Sequence, residues 1–513
     1  MIEQLRAGDR PKLKTDVVVI GAGTVGLVTA VTLAKEGLSV VCLESGLASQ
    51  VEEEHPLNAV VHSKRPYDGA AHGRFRCLGG TSTRWGGALI PFLEGDLDPE
   101  QWPIPYQDIV RFLSCVEAQF GLSPGPYTVE ELGGFASSDF VPRLAKWPAF
   151  GKRNVARLFR CALSHLPSLQ VWLNATVTHF EVNDERIIRL TARSLDGGKA
   201  VVEADEVIFA AGAIETTRLL LLLDQQNANG IFGPDDQLGR YFSDHLSVIV
   251  AHLEARDRTA LNRLTGFRFE RRGAMRNLRF EIAEASELRK SIPPCFFHIA
   301  FETDEKSGFN ASRNLFRFVQ KRRLPPPSVF FNLAMSAPWL AKAVWWRCVE
   351  KRLLYPDTAS VQLHLVMEQV PRPENRISLA KGRTDPFGLP LAEIAWDIAE
   401  KDHENIDRAV TAFEGVWERS ALSSVARIIR RPTRNLSQDL AGSGGVFHPV
   451  GSTRVGKTPR SAVVDSNLRP FRLRNTTVLS TSVLPNSGGA NPTMMLMLLA
   501  FRCIDRLTQD YAR

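Results

Sequence analysis

The sequence predicts an α/β fold whose first domain is built on a parallel sheet. The chain has 513 residues, of which 44% are hydrophobic and 23% are charged, a composition typical of globular proteins with large cores. Two segments, 16–44 and 206–223, each pass from an apolar stretch through a glycine-containing turn into a helical pattern. This order of elements is typical of parallel sheets covered by helices.

The first of these segments contains a complete strand–helix–strand unit. Val17–Ile20 is a continuous β-branched run, which predicts a strand buried on both faces. Leu27–Glu36 predicts a helix that ends at Gly37, and Ser39–Leu43 predicts the second strand. The unit therefore predicts two parallel strands joined by a helix.

Three glycines and one glutamate give this unit the signature of a dinucleotide site. Gly21, Gly23 and Gly26 follow the first strand in G-x-G-x-x-G spacing, and Glu44 ends the second strand. Glycines at this spacing allow a tight turn and the close approach of a pyrophosphate, while the acid accepts hydrogen bonds from the ribose. Glu44 disfavours the 2′-phosphate of NADP, which leaves NAD and FAD. The fingerprint does not recur downstream, so we expect one dinucleotide.

A second glycine-rich stretch lies at 78–87. Small residues leave its backbone amides accessible, which suits a chain lying flat against a planar or phosphorylated ligand, although a surface loop has the same composition. Trp85 favours burial. The residues of this stretch that we expect at the ligand are Gly79, Gly80, Thr81, Trp85 and Gly86.

Further strands and helices connect these regions. Ala211 and Gly212 form a strand–glycine–helix turn, which suits packing on a cofactor as well as ordinary α/β architecture. The predicted strands are Val171–Val182, Ile187–Ser194, Val201–Val202, Glu206–Phe209, Val463–Asp465 and Thr477–Leu479. The predicted helices are Asp108–Phe120, Thr217–Leu223 and Met494–Leu507.

The C-terminal region carries candidate catalytic residues. His448 lies in a glycine-flanked turn at 444–454, and its imidazole titrates near neutral pH. Asn491 predicts the N-cap of the last helix and Pro492 its first residue. The positive end of that helix would stabilise a nearby negative charge.

The chain is mildly basic, with 63 Lys and Arg against 56 Asp and Glu. The segment 255–353 holds 20 Lys and Arg against 9 Asp and Glu, an excess larger than that of the whole chain. It contains Lys321–Arg323 and the tryptophans Trp339, Trp345 and Trp346. A solvated surface, an anionic substrate and contact with anionic lipid all fit this segment. Its spacing matches no nucleic-acid-binding module, so we expect no nucleic-acid partner.

The N-terminus and the cysteines predict a cytoplasmic protein. Residues 1–14 are polar and no apolar run approaches ~18 residues, so we expect neither a secretory signal nor a spanning helix. The seven cysteines are scattered singly, which favours a reducing compartment and argues against a disulfide framework or a metal site.

Taken in order, these motifs resemble the glucose-methanol-choline (GMC) flavoprotein oxidoreductases. The basic segment, roughly 255–355, has no clear counterpart. The motifs that carry the resemblance are 18–44, 79–82, 212–218, 238–242, 368–371 with 375–376, and 448–502.

The resemblance implies an FAD cofactor and an active-site pair. His448 matches the family's catalytic histidine and Asn491 its partner position, and 82–85 is similar to the pyranose oxidase-like branch. Arg84 stands where that branch attaches FAD covalently to a histidine, so we expect non-covalent FAD. Ser480 stands where many members have Asp. The other implied cofactor positions are Val177, Ala211, Gly212, Ser480, Pro492 and Thr493.

The implied reaction is oxidation of an alcohol to a carbonyl by hydride transfer to flavin N5. His448 would act as the base, and Asn491 would hold the substrate oxygen. A sugar or glycoside secondary alcohol is the expected substrate, with an anionic version favoured by the basic segment, and the acceptor is oxygen, a quinone or another carrier. Three alternatives remain: a membrane-associated dehydrogenase for a lipid-linked or other non-sugar alcohol, a non-redox lyase that keeps FAD, and a binding protein.

The resemblance also implies two lobes. We expect an FAD-binding domain from 1–104, 165–247 and 446–513, with a Rossmann-like parallel sheet. We expect a substrate-binding domain from 105–164 and 248–445, with an antiparallel sheet over the flavin.

Overall fold

The fold was obtained as a computed structural model. It describes residues 1–50, 54–129, 132, 135, 137–233, 237–320, 324–432, 436, 438–440 and 446–512. Two features singled out in the sequence, Lys321–Arg323 and the start of the glycine-flanked turn at 444–445, lie outside the described residues.

The strands and helices are numbered separately in chain order. The strands are β1 (Ile2–Gln4), β2 (Lys12–Ile20), β3 (Val40–Leu43), β4 (Val60–His62), β5 (Phe140–Trp147), β6 (Leu169–Leu173), β7 (Thr176–Asn183), β8 (Arg186–Arg193), β9 (Lys199–Phe209), β10 (His245–Ala255), β11 (Arg268–Phe269), β12 (Met275–Ile282), β13 (Cys295–Glu302), β14 (Ser360–Glu368), β15 (Arg376–Thr384), β16 (Pro390–Ala395), β17 (Ala426–Arg430) and β18 (Thr476–Val478). The α-helices are α1 (Thr24–Lys35), α2 (Gly69–His72), α3 (Tyr106–Val110), α4 (Leu113–Phe120), α5 (Phe150–Arg153), α6 (Val155–Leu158), α7 (Arg160–His165), α8 (Ala213–Gln226), α9 (Arg258–Thr265), α10 (Gly308–Gln320), α11 (Pro327–Met335), α12 (Ala337–Trp345), α13 (Glu400–Arg419), α14 (Leu422–Val425) and α15 (Thr493–Tyr511).

The first sheet has the predicted parallel core. Its order is β1-β6-β3-β2-β9-β8-β7, and β18 also pairs with β9. Strands β1, β6, β3, β2, β9 and β18 pair in parallel, whereas β8 and β7 add an antiparallel extension. Helices α1 and α15 contribute buried faces to the same core. The mixed α/β fold with a Rossmann-like sheet is therefore confirmed.

Several predicted element bounds were wrong. The predicted strand Val171–Val182 is interrupted at Asn174, whose φ of 54° is incompatible with a continuous strand. The two pieces predicted at 201–209 form the single strand β9. The predicted helix Asp108–Phe120 consists of α3 and α4, and Val463–Asp465 forms only isolated bridges. The predicted bounds differ where a turn in the backbone, or pairing with a strand distant in sequence, outweighs the local pattern of apolar residues.

The second sheet is antiparallel, as the resemblance implied. Its order is β11-β12-β13-β14-β10-β17, and β5 pairs with β12. Alternate residues of a strand face opposite sides of a sheet. On one side Phe280 and Phe297 pack against Phe413 of α13. Arg279 and Phe296, their neighbours in sequence, therefore lie on the other side, which faces the first lobe.

The segment 105–164, expected in the substrate domain, contributes to both hydrophobic cores. Strand β5 belongs to the antiparallel sheet, whereas Val116 and Phe120 of α4 lie in the core of the first sheet. A small third sheet joins β15, β16 and β4.

Two further expectations concern disulfide bonds and membrane-spanning helices. All seven cysteines are free thiols. Within the described residues, no helix combines the length and the apolar character needed to span a bilayer.

Candidate active site

The glycine turn after β2 shapes one end of a long cavity. Gly21 has φ +105°, and a Cβ there would lie 2.6 Å from the Ala210 carbonyl oxygen. A Cβ on Gly26 would lie 1.9 Å from the Gly21 carbonyl oxygen, so α1 packs directly on the turn. A Cβ on Gly23 would meet no atom within 4 Å, because Gly23 borders the open space of the cavity. The three glycines thus provide the turn, the packing and the open approach that a pyrophosphate requires.

Glu44 is fixed at the same end of the cavity. Its Oε2 accepts the Ala22 N–H at 2.9 Å, and its Oε1 accepts the Gly46 N–H at 2.8 Å. Burial raises the pKa of Glu44 above its usual value, and these two amide bonds oppose the shift. Ser45 Oγ also donates to Oε1, at 3.3 Å. Oε2 keeps a second lone pair, so the side chain can still accept a hydrogen bond from a ribose.

The cavity brings together most of the predicted cofactor residues. It extends from the first glycine turn to His448, and Arg74 and Arg76 also line it. The predicted residues in its lining are Gly21, Gly23, Glu44, Gly80, Thr81, Trp85, Ala211, Gly212, His448, Ser480, Pro492 and Thr493.

Four predicted cofactor residues lie outside the lining. Gly26 packs α1 on the turn, and Gly79, with φ +92°, starts the short turn that carries Gly80. A Cβ on Gly86 would lie 2.7 Å from the Trp147 ring. Val177 is a core residue of β7. Gly26 and Gly79 thus support the lining residues Gly21 and Gly80, whereas Gly86 packs on Trp147 and Val177 lies in the core, away from the lining.

Two arginines and a glutamate in the lining were missed by the sequence reasoning. Glu215 accepts hydrogen bonds from Arg76 at 2.7 Å and from Arg218 at 3.0 Å. Burial raises the pKa of Glu215, but these cations and Arg74 outweigh it and lower the pKa to about 2. Glu215 is therefore ionised and holds Arg74 and Arg76 beside the cavity, where they suit an anionic ligand. Its place in the 212–218 motif was the available signal.

His448 lines the cavity, and Asn491 lies beside it, outside the lining but next to the lining residues Pro492 and Thr493. Asn491 Nδ2 lies 3.3 Å from His448 Nε2. The predicted N-cap role of Asn491 is wrong: α15 begins at Thr493, and no side chain caps it. The Asn491 amide is used elsewhere, because its Oδ1 accepts a hydrogen bond from Arg279 Nη2 at 2.9 Å. That bond orients the amide with its N–H groups toward His448.

A second histidine fixes the protonation of His448. His245 Nε2 lies 2.8 Å from the Gly488 carbonyl oxygen, which can only accept, so Nε2 carries the proton. Its Nδ1 is then an acceptor, and it lies 3.2 Å from His448 Nδ1, which must donate. His448 Nε2 is therefore unprotonated, and its lone pair faces the Asn491 Nδ2 amide at 3.3 Å.

Burial keeps both imidazoles neutral. Burial lowers the pKa of His245 to about 4, and the charge of Arg279 contributes to this shift. Burial, with His245 and Arg279, lowers the pKa of His448 to about 3. The unprotonated Nε2 of His448 is thus its ordinary state at neutral pH.

Asp244 anchors the turn that carries His448. Its Oδ1 accepts the N–H groups of His245 at 2.7 Å and His448 at 2.8 Å. Its Oδ2 accepts the Tyr67 hydroxyl at 2.6 Å and the Phe447 N–H at 3.1 Å. Burial raises the pKa of Asp244 to about 6. Sequence reasoning missed both Asp244 and His245, although they closely follow the 238–242 motif.

Two family models match parts of this chain, and two curated proteins resemble it along nearly its whole length. A family model described as GMC oxidoreductase matches residues 371–500, and one described as FAD dependent oxidoreductase matches 16–70. The fructose dehydrogenase large subunit of Gluconobacter japonicus is 21% identical over 97% of this chain and 98% of its own length. The 2-methyl-1,2-propanediol dehydrogenase of Mycolicibacterium austroafricanum is 22% identical over 97% and 96%.

A solved structure shows the same fold. A formate oxidase variant from Aspergillus oryzae RIB40 superposes with a TM-score of 0.57 at 14% identity, covering 98% of this chain and 99% of its own. The cavity, with its glycine turn and its acid, fits the dinucleotide that the matched models describe. The chain therefore resembles the GMC oxidoreductases along nearly its whole length, and the comparisons support an FAD-dependent enzyme that acts on CH–OH donors.

Proposed function

We propose that His448 is the base that removes the hydroxyl proton when the alcohol is oxidised to a carbonyl. The observation that carries this proposal is the unprotonated Nε2 of His448, which the Gly488–His245–His448 hydrogen bonds require. A base must be unprotonated at working pH and within hydrogen-bond reach of the proton that it takes. The lowered pKa of His448 supports the first condition, and its place in the cavity lining supports the second.

Asn491 holds the substrate oxygen in this proposal. Its amide is oriented by Arg279, so Nδ2 lies on the same side as His448 Nε2. A hydroxyl bound against both nitrogens, in place of their direct contact at 3.3 Å, would donate to His448 Nε2 and accept from Asn491 Nδ2. The pair therefore fixes the carbinol group for reaction, which is a large part of the work of such a site.

FAD, held by the glycine turn, Glu44 and the 79–81 stretch, supplies the hydride acceptor when it is bound. We place it non-covalently, because Arg84 cannot form the histidyl bond of the pyranose oxidase-like branch. FAD modification is named for the formate oxidase, and release of the flavin by acid distinguishes the two modes of attachment in this chain. Arg74 and Arg76 suit the cofactor's phosphates.

The substrate we favour is a sugar or glycoside secondary alcohol. The similarity of 82–85 to the pyranose oxidase-like branch and the activity for which the fructose dehydrogenase is named support it. A second candidate is a small diol, supported by the activity for which the 2-methyl-1,2-propanediol dehydrogenase is named. The electron acceptor is oxygen, a quinone or a protein carrier.

An anaerobic titration tests this function. Purified protein should be yellow, and acid should release the flavin, since attachment is non-covalent. Sugars, glycosides and small diols are then added in turn, and absorbance reports flavin reduction. Bleaching by one class identifies the substrate class. Flavin retained in the acid pellet refutes non-covalent attachment, and bleaching by no alcohol refutes the reaction.

A further inference from the structure

A buried arginine lies beside the proposed reacting atoms with an incomplete set of partners. Arg279 of β12 is 3% exposed, and one of its nitrogens, Nη2, donates to Asn491 Oδ1. Its Nε and Nη1 have no hydrogen-bond partner within the described part of the chain. A buried charged donor without a partner is costly, so such groups usually meet a ligand or water.

The charge of Arg279 is also incompletely balanced. Glu281, two residues along the same face of β12, forms its ion pair with Arg143. Two buried cations thus share one carboxylate. Burial lowers the pKa of Arg279 only to about 10, so the guanidinium stays charged at neutral pH. This part of the site therefore carries a net positive charge.

The guanidinium is held in a defined orientation. It lies over the Phe296 ring, 4.0 Å from the centroid, an arrangement favoured by the ring's negative face. Nη2 has two N–H groups, and Asn491 takes one of them. The other lies on an edge shared with Nε or Nη1, both of which lack partners among the described residues. A planar edge with two donors matches a carboxylate.

We propose that Arg279 binds a carboxylate of the substrate, so that the preferred alcohol is a hydroxy acid or a sugar acid. This inference rests on the proposed function and narrows its substrate class. Two hydrogen-bond contacts, through Asn491, separate Arg279 from His448 Nε2. The carboxylate therefore lies within a few bonds of the carbon that is oxidised.

Matched substrate pairs test this proposal. Short hydroxy acids and uronic acids are compared with their primary amides in anaerobic flavin reduction, using holoenzyme and the variants Arg279→Gln and Arg279→Lys. The ratio of kcat/KM for acid over amide should exceed roughly tenfold in the wild type, fall to near unity in Arg279→Gln and stay intermediate in Arg279→Lys. If the Arg279 variants only lost the hydrogen bond that orients Asn491, flavin reduction by the acid and by its amide would slow equally. The ratio of kcat/KM therefore isolates carboxylate binding.

Two results overturn the proposal. Equal kcat/KM for acids and amides in the wild type leaves alcohol oxidation standing and removes the role of Arg279. If Arg279→Gln still prefers acids over amides, another residue binds the carboxylate. If neither acids, amides nor simple alcohols reduce the flavin, the proposed function itself fails.

A second observation, independent of the active site, concerns an exposed apolar surface. Helices α11 and α12, with the residues that flank them, present large hydrophobic side chains that are each at least half exposed. We call these residues the apolar patch: Leu324, Phe330, Phe331, Met335, Val344, Trp345 and Val349. A soluble surface seldom leaves so many large apolar groups together without a partner.

Cationic side chains accompany the apolar patch. Lys342, Arg347 and Lys351 are exposed among its residues. Glu350 is the one acidic residue of the segment 324–352, and it pairs with Arg263 at 3.0 Å. Apolar side chains that include Trp, combined with Lys and Arg, are the chemistry that binds an anionic lipid surface. A symmetric contact between two copies would instead oppose like charges.

We infer that the apolar patch docks on a bilayer containing anionic phospholipid. Flotation of the holoenzyme with vesicles of phosphatidylcholine alone, and of phosphatidylcholine mixed with phosphatidylserine, tests this. We expect binding only to the anionic vesicles, weakened by salt. Phe331→Ser with Trp345→Ser should lose at least roughly tenfold in binding, whereas Phe150→Ser, at an exposed phenylalanine elsewhere, should bind as wild type.

Other outcomes refute the lipid surface. Failure of the wild type to float with anionic vesicles does so directly. So does a wild-type dimer that Phe331→Ser with Trp345→Ser converts to a monomer in light scattering, because a second copy then covers the patch.

Discussion

His245 and His448 face each other through their Nδ1 atoms, 3.2 Å apart. Because the Gly488 carbonyl holds the proton of His245 on Nε2, this contact fixes the proton of His448 on Nδ1. The lone pair of His448 Nε2 is consequently directed at Asn491. The tautomer of the proposed base is thus set by a residue 203 positions away in the chain.

Replacement of His245 should slow flavin reduction without loss of flavin. His245→Leu removes the acceptor for His448 Nδ1, so the ring is free to adopt the wrong tautomer or orientation, and we expect a rate lower on the order of 10²-fold. His245→Asn keeps an acceptor near the Nδ1 position and should recover part of that loss. Anaerobic stopped-flow absorbance measures both; equal rates in the two variants would exclude tautomer control.

The rate of flavin reduction should fall with decreasing pH only well below the usual titration range of histidine. Burial lowers the pKa of His448 from 6.5 to about 3, so the base stays unprotonated as the pH falls through 6.5. The rate of flavin reduction in the holoenzyme should therefore remain level there. Circular dichroism over the same range controls for unfolding. A loss of rate centred near pH 6.5 would show that His448 titrates normally.

Glu368 should make stability fall as pH rises. Its Oε2 accepts the Gly488 N–H at 2.7 Å, and burial raises its pKa from 4.5 to about 8. Between those values the native state holds a proton that the unfolded state has released, so the free energy of unfolding decreases with pH by up to about 1.4 kcal/mol per unit.

Glu368→Gln keeps the acceptor oxygen and removes the titration. We expect its stability, relative to wild type, to increase across this window in denaturant melts. A constant difference between the two proteins would show that Glu368 does not titrate in the window.

The first glycine turn offers a contrast between packing and binding. Gly26→Ala places a Cβ 1.9 Å from the Gly21 carbonyl oxygen, so we expect destabilisation by roughly 3 kcal/mol or more. Gly23→Ala adds a methyl group only to the open cavity, so the fold should survive while flavin affinity falls. Thermal melts and flavin content after gel filtration distinguish them; equal stability of the two variants would contradict this division of roles.

Local patterns in the sequence were sufficient to predict the strand, the turn and the acid of the dinucleotide site. The signature formed by the glycines after Ile20 and by Glu44 is contained in one short stretch of sequence. The structure places Gly21, Gly23 and Glu44 in the lining of one cavity. The comparisons support the resemblance to the GMC oxidoreductases but give no specific support to the pyranose oxidase-like branch. FAD and the antiparallel second sheet are confirmed. His448 and Asn491 also come together as expected.

The supporting residues could not be predicted in the same way. His245 and Arg279 reach His448 and Asn491 only because β10 and β12 of the second sheet lie over the C-terminal turn. Such contacts depend on how two sheets dock, which no local pattern encodes. Asn491 illustrates the point: its sequence context is that of a helix cap, but its amide is bound by Arg279.

The rate of flavin reduction in His448→Ala tests the assignment of the base most directly. The variant, with FAD bound, is mixed anaerobically with the alcohol that best bleaches the wild type, and flavin absorbance is followed. Loss of a general base predicts a rate lower by about 10²–10⁴-fold, with flavin content and fold unchanged. A rate equal to that of the wild type would contradict the assignment of His448 as the base.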